Sequence, residues 1–167
     1  MLTLRRQAAR AVVMDPHDRV LLLQARDPAD PSVAAWWELP GGGIEGDETS
    51  EEAAAREVFE EAGLTGLTMS PAVWVQRAVF DFGGYHFDQH ERIHIARGEG
   101  GDIHPGGLEG IEVEAFIGWQ WVHFAELPGV VAGGSRVIPD WLPEQLPAVL
   151  AAGYPDIPID MGLLTGR

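Results

Sequence analysis

Between Glu45 and Glu61 the chain carries eight carboxylates in seventeen residues against one cation, Arg56. Three successive glycines, Gly41 to Gly43, stand just ahead of them. Carboxylates at this density can hold a hard metal ion or move protons, and which of them can act together depends on the backbone beneath. Thr49 with Glu52 three positions later fits a capping box, and Gly63 fits a helix stop, so the spacing predicts a helix over 50–62. At ~100° per residue, Ala54, Ala55, Val58, Phe59 and Ala62 fall on an apolar face. Glu57, Glu60 and Glu61 gather on its flank, with the small Ala53 between them.

Helix neighbours three and four apart have Cβ atoms about 5–6 Å from each other, and like charges there repel. A planar guanidinium at Arg56 cannot satisfy three carboxylates, whereas Mg²⁺ suits a few carboxylates completed by water and phosphate oxygens. A solvated acidic helix face would show the same charges. The glycines favour a site, because they let bare backbone approach a ligand and place a carbonyl beside the carboxylates.

Gly42, five residues, Glu48, seven residues, then Arg56-Glu57-Val58-Phe59-Glu60-Glu61-Ala62-Gly63-Leu64 resembles a complete Nudix box over residues 42–64. Trp37-Glu38-Leu39-Pro40-Gly41-Gly42 and the stretch from Trp121 to Leu127 extend the resemblance, which covers residue 8 to about residue 150. It implies an α+β chain with the Nudix fold, an α/β/α sandwich around a mixed β-sheet. It also implies a metal-dependent hydrolase in which water attacks phosphorus in a nucleoside diphosphate linked to another moiety. On that resemblance Glu57, Glu60 and Glu61 hold Mg²⁺ or Mn²⁺ with the carbonyl of Gly41, Arg56 orients Glu57, and Glu48 supports the loop or touches metal through water. The general base is open among Glu109, Glu112, Glu114 and Glu57, with Glu114 favoured for its closeness to Phe116 and Trp121.

A diphosphate repels both an anionic nucleophile and the enzyme's carboxylates, so the cation must neutralise charge and lower the pKa of the attacking water. The substrate itself is not specified. Val79-Phe80-Asp81-Phe82 matches neither the downstream proline of ADP-ribose enzymes nor the tyrosine of dinucleoside polyphosphate enzymes, and the coenzyme A signature is absent. Trp36, Phe80, Phe82 and Tyr85 are aromatic residues that suit either base stacking or packing.

The elements that must position these residues read as strands on either side of the helix. Ala8 to Met14 and Arg19 to Ala25 flank the turn Asp15-Pro16-His17-Asp18, and Val20 to Leu23 suggests burial on both faces. Trp36 to Leu39 is a short strand, Gly41 to Gly43 a loop, and Ala72 to Phe82 with Tyr85 to Arg97 a long hairpin about Gly83-Gly84. His86, His90 and His94 then share the polar face of a strand rather than a zinc-binding helix. Gly98 to Gly110 is a loop, Phe116 to Phe124 an aromatic strand, and 143–152 a helix interrupted by Pro147 within a Pro-rich segment over 139–167.

At 167 residues one domain is expected over 1–167, large enough to bury roughly 70% of its unfolded surface. The formal net charge of −15 makes nucleic acid, duplex or single-stranded, a poor partner. The absence of cysteine excludes disulfides and thiolate chemistry. Arg5, Arg6 and Arg10 interrupt the apolar stretch that a signal peptide needs, and no run approaches a membrane span, so a cytoplasmic protein is expected with no membrane partner. The partner expected is a small nucleotide diphosphate derivative, with a homodimer left open. The rival reading is an idle Nudix domain that senses nucleotides, against which the intact box argues, because a pure sensor has no need to keep Arg56, Glu57, Glu60 and Glu61 together.

Overall fold

The computed structural model describes residues 1–166. Nine strands form one mixed sheet: β1 (Leu2–Met14), β2 (Arg19–Ala25), β3 (Trp36–Glu38), β4 (Gly41–Gly43), β5 (Thr68–Phe82), β6 (Tyr85–Arg97), β7 (Phe116–His123), β8 (Arg136–Ile138) and β9 (Ile159–Thr165). Their order is β8-β3-β2-β1-β6-β5-β9, with β4 also on β1 and β7 also on β2. The helices are α1 (Ser50–Ala62), α2 (Ile111–Ala115), α3 (Leu127–Ala132) and α4 (Leu142–Ala152).

Turn chemistry sets the hairpins. Asp15 accepts hydrogen bonds from the His17 and Arg19 N–H groups, both at 2.9 Å, which closes the turn from β1 to β2. Gly83 and Gly84 both take positive φ, so a two-residue turn pairs Phe82 with Tyr85.

The sheet forks between β1 and β2. Those strands pair only at Met14 and Val20 and then diverge. Gly43, Gly42 and Gly41 pair with Ala8, Ala9 and Arg10 on the edge that β1 frees, while β3 takes Leu23 to Ala25 of β2. The expected glycine loop is therefore a strand. The close approach expected of its backbone is spent on pairing, as a Cβ on Gly41 would stand 2.5 Å from the Ala9 carbonyl oxygen.

Helix α1 packs on one face of the sheet, its Ala53, Ala54, Val58 and Ala62 against Ala9, Ala11 and Val13 of β1. On the other face Leu127, Leu142, Leu146 and Val149 from α3 and α4 cover Val12, Trp74, Ile93 and Ile95. This is the expected α/β/α arrangement. The buried face of α1 differs from the expected one: Ala53 and Glu57 point inward while Ala55 is exposed and Phe59 is 46% exposed. Alanines on both surfaces let helix and sheet meet closely, and that contact outweighs burial of one phenyl ring.

Three other expectations change. β1 starts at Leu2 rather than at Ala8, so Arg5 and Arg6 join Arg10 on that strand. α4 runs through Pro147 uninterrupted because Leu146 and Val149 are buried on either side of it, which offsets the lost hydrogen bond. Part of the Pro-rich segment is β9, which extends the sheet parallel to β5. His94 is fully buried, its ring nitrogens 2.9 Å from the Ser70 carbonyl and 3.0 Å from Ser50 Oγ, and so it pegs the start of α1 to the sheet. His90 is exposed, and His86 lies 2.6 Å from Asp81.

Candidate active site

The fork leaves a cleft of about 420 Å³, lined by β1, β2, β4, α1, the tip of β5–β6 and the segment 107–116. That volume lies in the range of small-ligand sites. Helix α1 is fixed at both ends. Thr49 Oγ1 accepts from the Glu52 N–H at 3.2 Å, and Gly63, at φ 72°, donates to the Phe59 carbonyl at 2.8 Å. The next loop docks on the same helix end: the N–H groups of His104, Gly106 and Gly107 reach the Ala62, Phe59 and Glu60 carbonyls at 3.0–3.2 Å. This docking carries α2 over the cleft.

Arg56 gathers the helix and glycine strand. Its Nε and Nη2 bind Glu48 at 2.9 and 3.1 Å, Nη2 binds the Gly43 carbonyl at 2.9 Å, and Nη1 binds Glu57 at 3.0 Å and Glu60 at 3.1 Å. A fork of five fixed donors suits this task, which a lysine could not perform. Hydrogen bonding from Arg56 holds Glu48 below its ordinary pKa.

Glu57, Glu61 and Glu112 each present a carboxylate oxygen within 4.8 Å of the others. Burial pushes Glu57 up from the ordinary carboxylate pKa, with Arg56 opposing. Burial, followed by the charges of Glu57 and Glu38, drives Glu61 well above it, and burial also raises Glu112. Glu57 Oε2 is buried with no hydrogen-bond partner among the described residues. A Cβ on Gly42 would lie 2.5 Å from Glu57 Oε1, so only glycine leaves that carboxylate its place. Glu61 Oε2 accepts from the Gly41 N–H at 3.3 Å.

The structure does not place every expected residue here. Glu60 lines the cleft, but its carboxylate is held by Arg56 and lies outside the trio. Glu114 is exposed and does not line the cleft. The segment before β7 is a helical turn, which sends residues two apart in nearly opposite directions, so Glu112 faces the trio and Glu114 faces away. Glu109 and Gly41 both line the cleft.

Sequence reading also missed two cations. Arg6 and Arg10 line the cleft. Arg10 Nε pairs with Glu91 at 2.9 Å and its Nη1 donates to the Leu39 carbonyl at 3.2 Å. Burial works against the Arg10 charge, but Glu91, by charge and hydrogen bond, together with the charges of Glu38 and Glu61 more than offsets it, so the group's pKa is raised. Arg6 lies over the Phe87 ring, 4.8 Å from its centroid, and burial followed by Arg10 lowers its pKa. Alternation along β1 was the available signal: Arg6 and Arg10 are four apart and share a face. Phe80, Phe82, Phe87 and Phe116 make an apolar wall, with Phe80 and Phe87 stacked at 5.1 Å.

A family model described as NUDIX domain matches residues 4–142. The chain is 29% identical over 130 residues to an RNA pyrophosphohydrolase of Acidiphilium cryptum, covering 71% of this chain and 76% of that one. It is 27% identical over 122 residues to a putative 8-oxo-dGTP diphosphatase of Bacillus subtilis, covering 73% and 69%. Among solved structures, a C. elegans Ap4A hydrolase binary complex aligns over 89% of this chain and 99% of its own, with a TM-score of 0.57 and 21% identity, a likeness of fold alone.

Proposed function

We propose, for a chain that belongs to the Nudix family and is a hydrolase of pyrophosphate bonds, that it cleaves a nucleoside diphosphate derivative with a divalent ion held by Glu57 and Glu61. The observation that carries this reading is the buried, unpartnered Glu57 Oε2 within a trio of carboxylates. A buried carboxylate oxygen without a donor is costly unless a cation compensates it. All-oxygen donors suit Mg²⁺ or Mn²⁺, and the carbonyl of Gly41, whose N–H meets Glu61, is the proposed backbone ligand. When bound, the ion supplies charge neutralisation and acidifies the attacking water.

The remaining work falls to the protein. Arg56 holds Glu57 in place and leaves Glu60 at the rim of the site. Glu112 is the proposed base: it takes a proton as the water oxygen bonds to phosphorus, and the bridging P–O bond breaks with its electrons on the departing phosphate. A carboxylate raised by burial is suited to that transfer. The phenylalanine wall takes the face of the nucleobase, while Arg6 and Arg10 face the phosphates.

The test is a Mg²⁺ and Mn²⁺ hydrolysis screen over nucleoside triphosphates, 8-oxo-dGTP, ADP-ribose, nucleotide sugars, dinucleoside polyphosphates, NADH, coenzyme A and 5′-triphosphorylated RNA. Turnover of one class, lost in Glu61→Gln with the fold intact, is the expected result. Tight binding without turnover of any of them would assign a sensor instead, and full activity in Glu61→Gln would remove the metal assignment.

A further inference from the structure

Arg6 and Arg10 are both anchored from behind by one side chain. Glu91, on β6, is 2% exposed, yet it is ionic and carries a network across the sheet. It accepts from Arg10 Nε at 2.9 Å, from Gln76 Nε2 at 2.6 Å and from Gln89 Nε2. Gln89, fully buried, accepts from Arg6 Nε at 2.8 Å through its own Oε1. Gln76 Oε1 in turn accepts from the indole N–H of Trp141, beside α4, at 2.8 Å, so the packing of the opposite layer holds the hub in place. The register explains the geometry: Arg6 pairs with Gln89, Ala8 with Glu91 and Arg10 with Ile93, so these side chains share one face in consecutive rows.

A buried ion pair adds little to stability, since an apolar pair of similar volume commonly serves as well. What it supplies here is orientation. Each guanidinium is tethered through Nε, which directs its Nη edge away from the tether. Arg6 Nη1 lies beside Gly43, a Cβ on which would stand 3.0 Å from it, and the Arg10 stem crosses Gly41. Arg56 is committed to Glu48, Glu57, Glu60 and Gly43. Among the described residues, the other cations that line the cleft are these two, Arg10 keeping its Nη2 beyond the bonds to Glu91 and the Leu39 carbonyl.

We propose that Glu91 is a positioning residue for substrate binding: through one buried carboxylate it fixes Arg10 directly and Arg6 by way of Gln89, so that both guanidinium groups face the acidic trio and receive phosphate oxygens of the diphosphate. This rests on the hydrolase reading above. It assigns the arginines to the phosphates and leaves the metal to the carboxylates, so the two affinities separate.

The experiment is calorimetric titration of the full chain with Mn²⁺ alone and then with imidodiphosphate, a diphosphate that resists hydrolysis, in the presence of Mn²⁺. Glu91→Gln removes the charge but keeps an amide for the network, and Arg6→Gln removes the second cation while keeping an amide N–H to donate toward Gln89, with the Tm of each variant as the check on folding. Each variant is expected to weaken imidodiphosphate about tenfold or more while the Mn²⁺ Kd stays within twofold, with KM raised and kcat held for whichever substrate the screen yields. An unchanged imidodiphosphate Kd in Arg6→Gln would overturn the proposal, even where Glu91→Gln fails to fold. Mn²⁺ affinity falling in step would also overturn it, by assigning the network to the metal site. A wild-type chain that binds neither probe would overturn the hydrolase reading and this proposal with it.

Discussion

Gly42→Ala separates folding from chemistry in this chain. Gly42 lies in β4 without positive φ, so alanine meets no backbone penalty there and narrows the unfolded ensemble, a gain of about 0.4–1 kcal/mol. The three atoms nearest the added Cβ all belong to Glu57: Oε1 at 2.5 Å, Cδ at 2.7 Å and Oε2 at 3.0 Å. Ordinary van der Waals contact begins at 3.4 Å, so the carboxylate must retreat by about 0.9 Å, which a flexible side-chain end can do at small cost to the fold. A shift of about 1 Å at a reacting centre costs about a hundredfold in rate, or about 2.7 kcal/mol of transition-state stabilisation. The expected result is a Tm within a few degrees of wild type, a kcat lower by about two orders of magnitude and weaker Mn²⁺ binding by titration. Gly63→Ala supplies the contrast, since its Cβ would stand 1.9 Å from the His104 carbonyl oxygen at a positive φ and must destabilise the fold. Wild-type kcat and Mn²⁺ affinity in Gly42→Ala would refute the placement of Glu57 at the metal.

Other outcomes follow from the same geometry. Glu112→Gln is expected to lower kcat by about 10²- to 10⁴-fold, the usual range for a lost proton acceptor, while Glu114→Gln stays within twofold; equal losses in both would remove the assignment of the base. The raised carboxylates set a pH dependence. Glu57, Glu61 and Glu112 bind protons in the folded state that the unfolded chain, near pH 4.5, has released, so metal-free stability falls as pH rises through their folded pKa values. Thermal scans from pH 5 to 8 in EDTA are expected to show a declining Tm, and Mn²⁺ to restore it most at the upper end. A metal-free Tm that climbs across that interval would contradict the raised values.

The sequence made helix α1 legible to the residue because cap, stop and composition all act locally. The β5–β6 hairpin was legible for the same reason, its two glycines fixing the register. The glycine run misled, because its low side-chain content reads as a loop while its role depends on β1, thirty residues away, leaving an edge unpaired. The inward face of α1 was likewise set by its partner: hydrophobicity alone favours Phe59, yet alanine on alanine turns Glu57 inward.

The same distinction explains which site residues could be read. Glu57 and Glu61 belong to one helix, so spacing brings them together. Glu112 reaches them only because His104, Gly106 and Gly107 satisfy the last carbonyls of α1, a docking with no short-range signature. Arg6 and Arg10 looked like residues that merely excluded a signal peptide. Their function depends on Glu91, eighty-one residues from Arg10 in the chain and one sheet row away in space. The acidic segment could therefore be read as metal-binding on its own, but the cations that complement it had to come from the sheet. Had they lain on α1 as well, they would have paired with its glutamates, as Arg56 does, and left nothing to receive a phosphate.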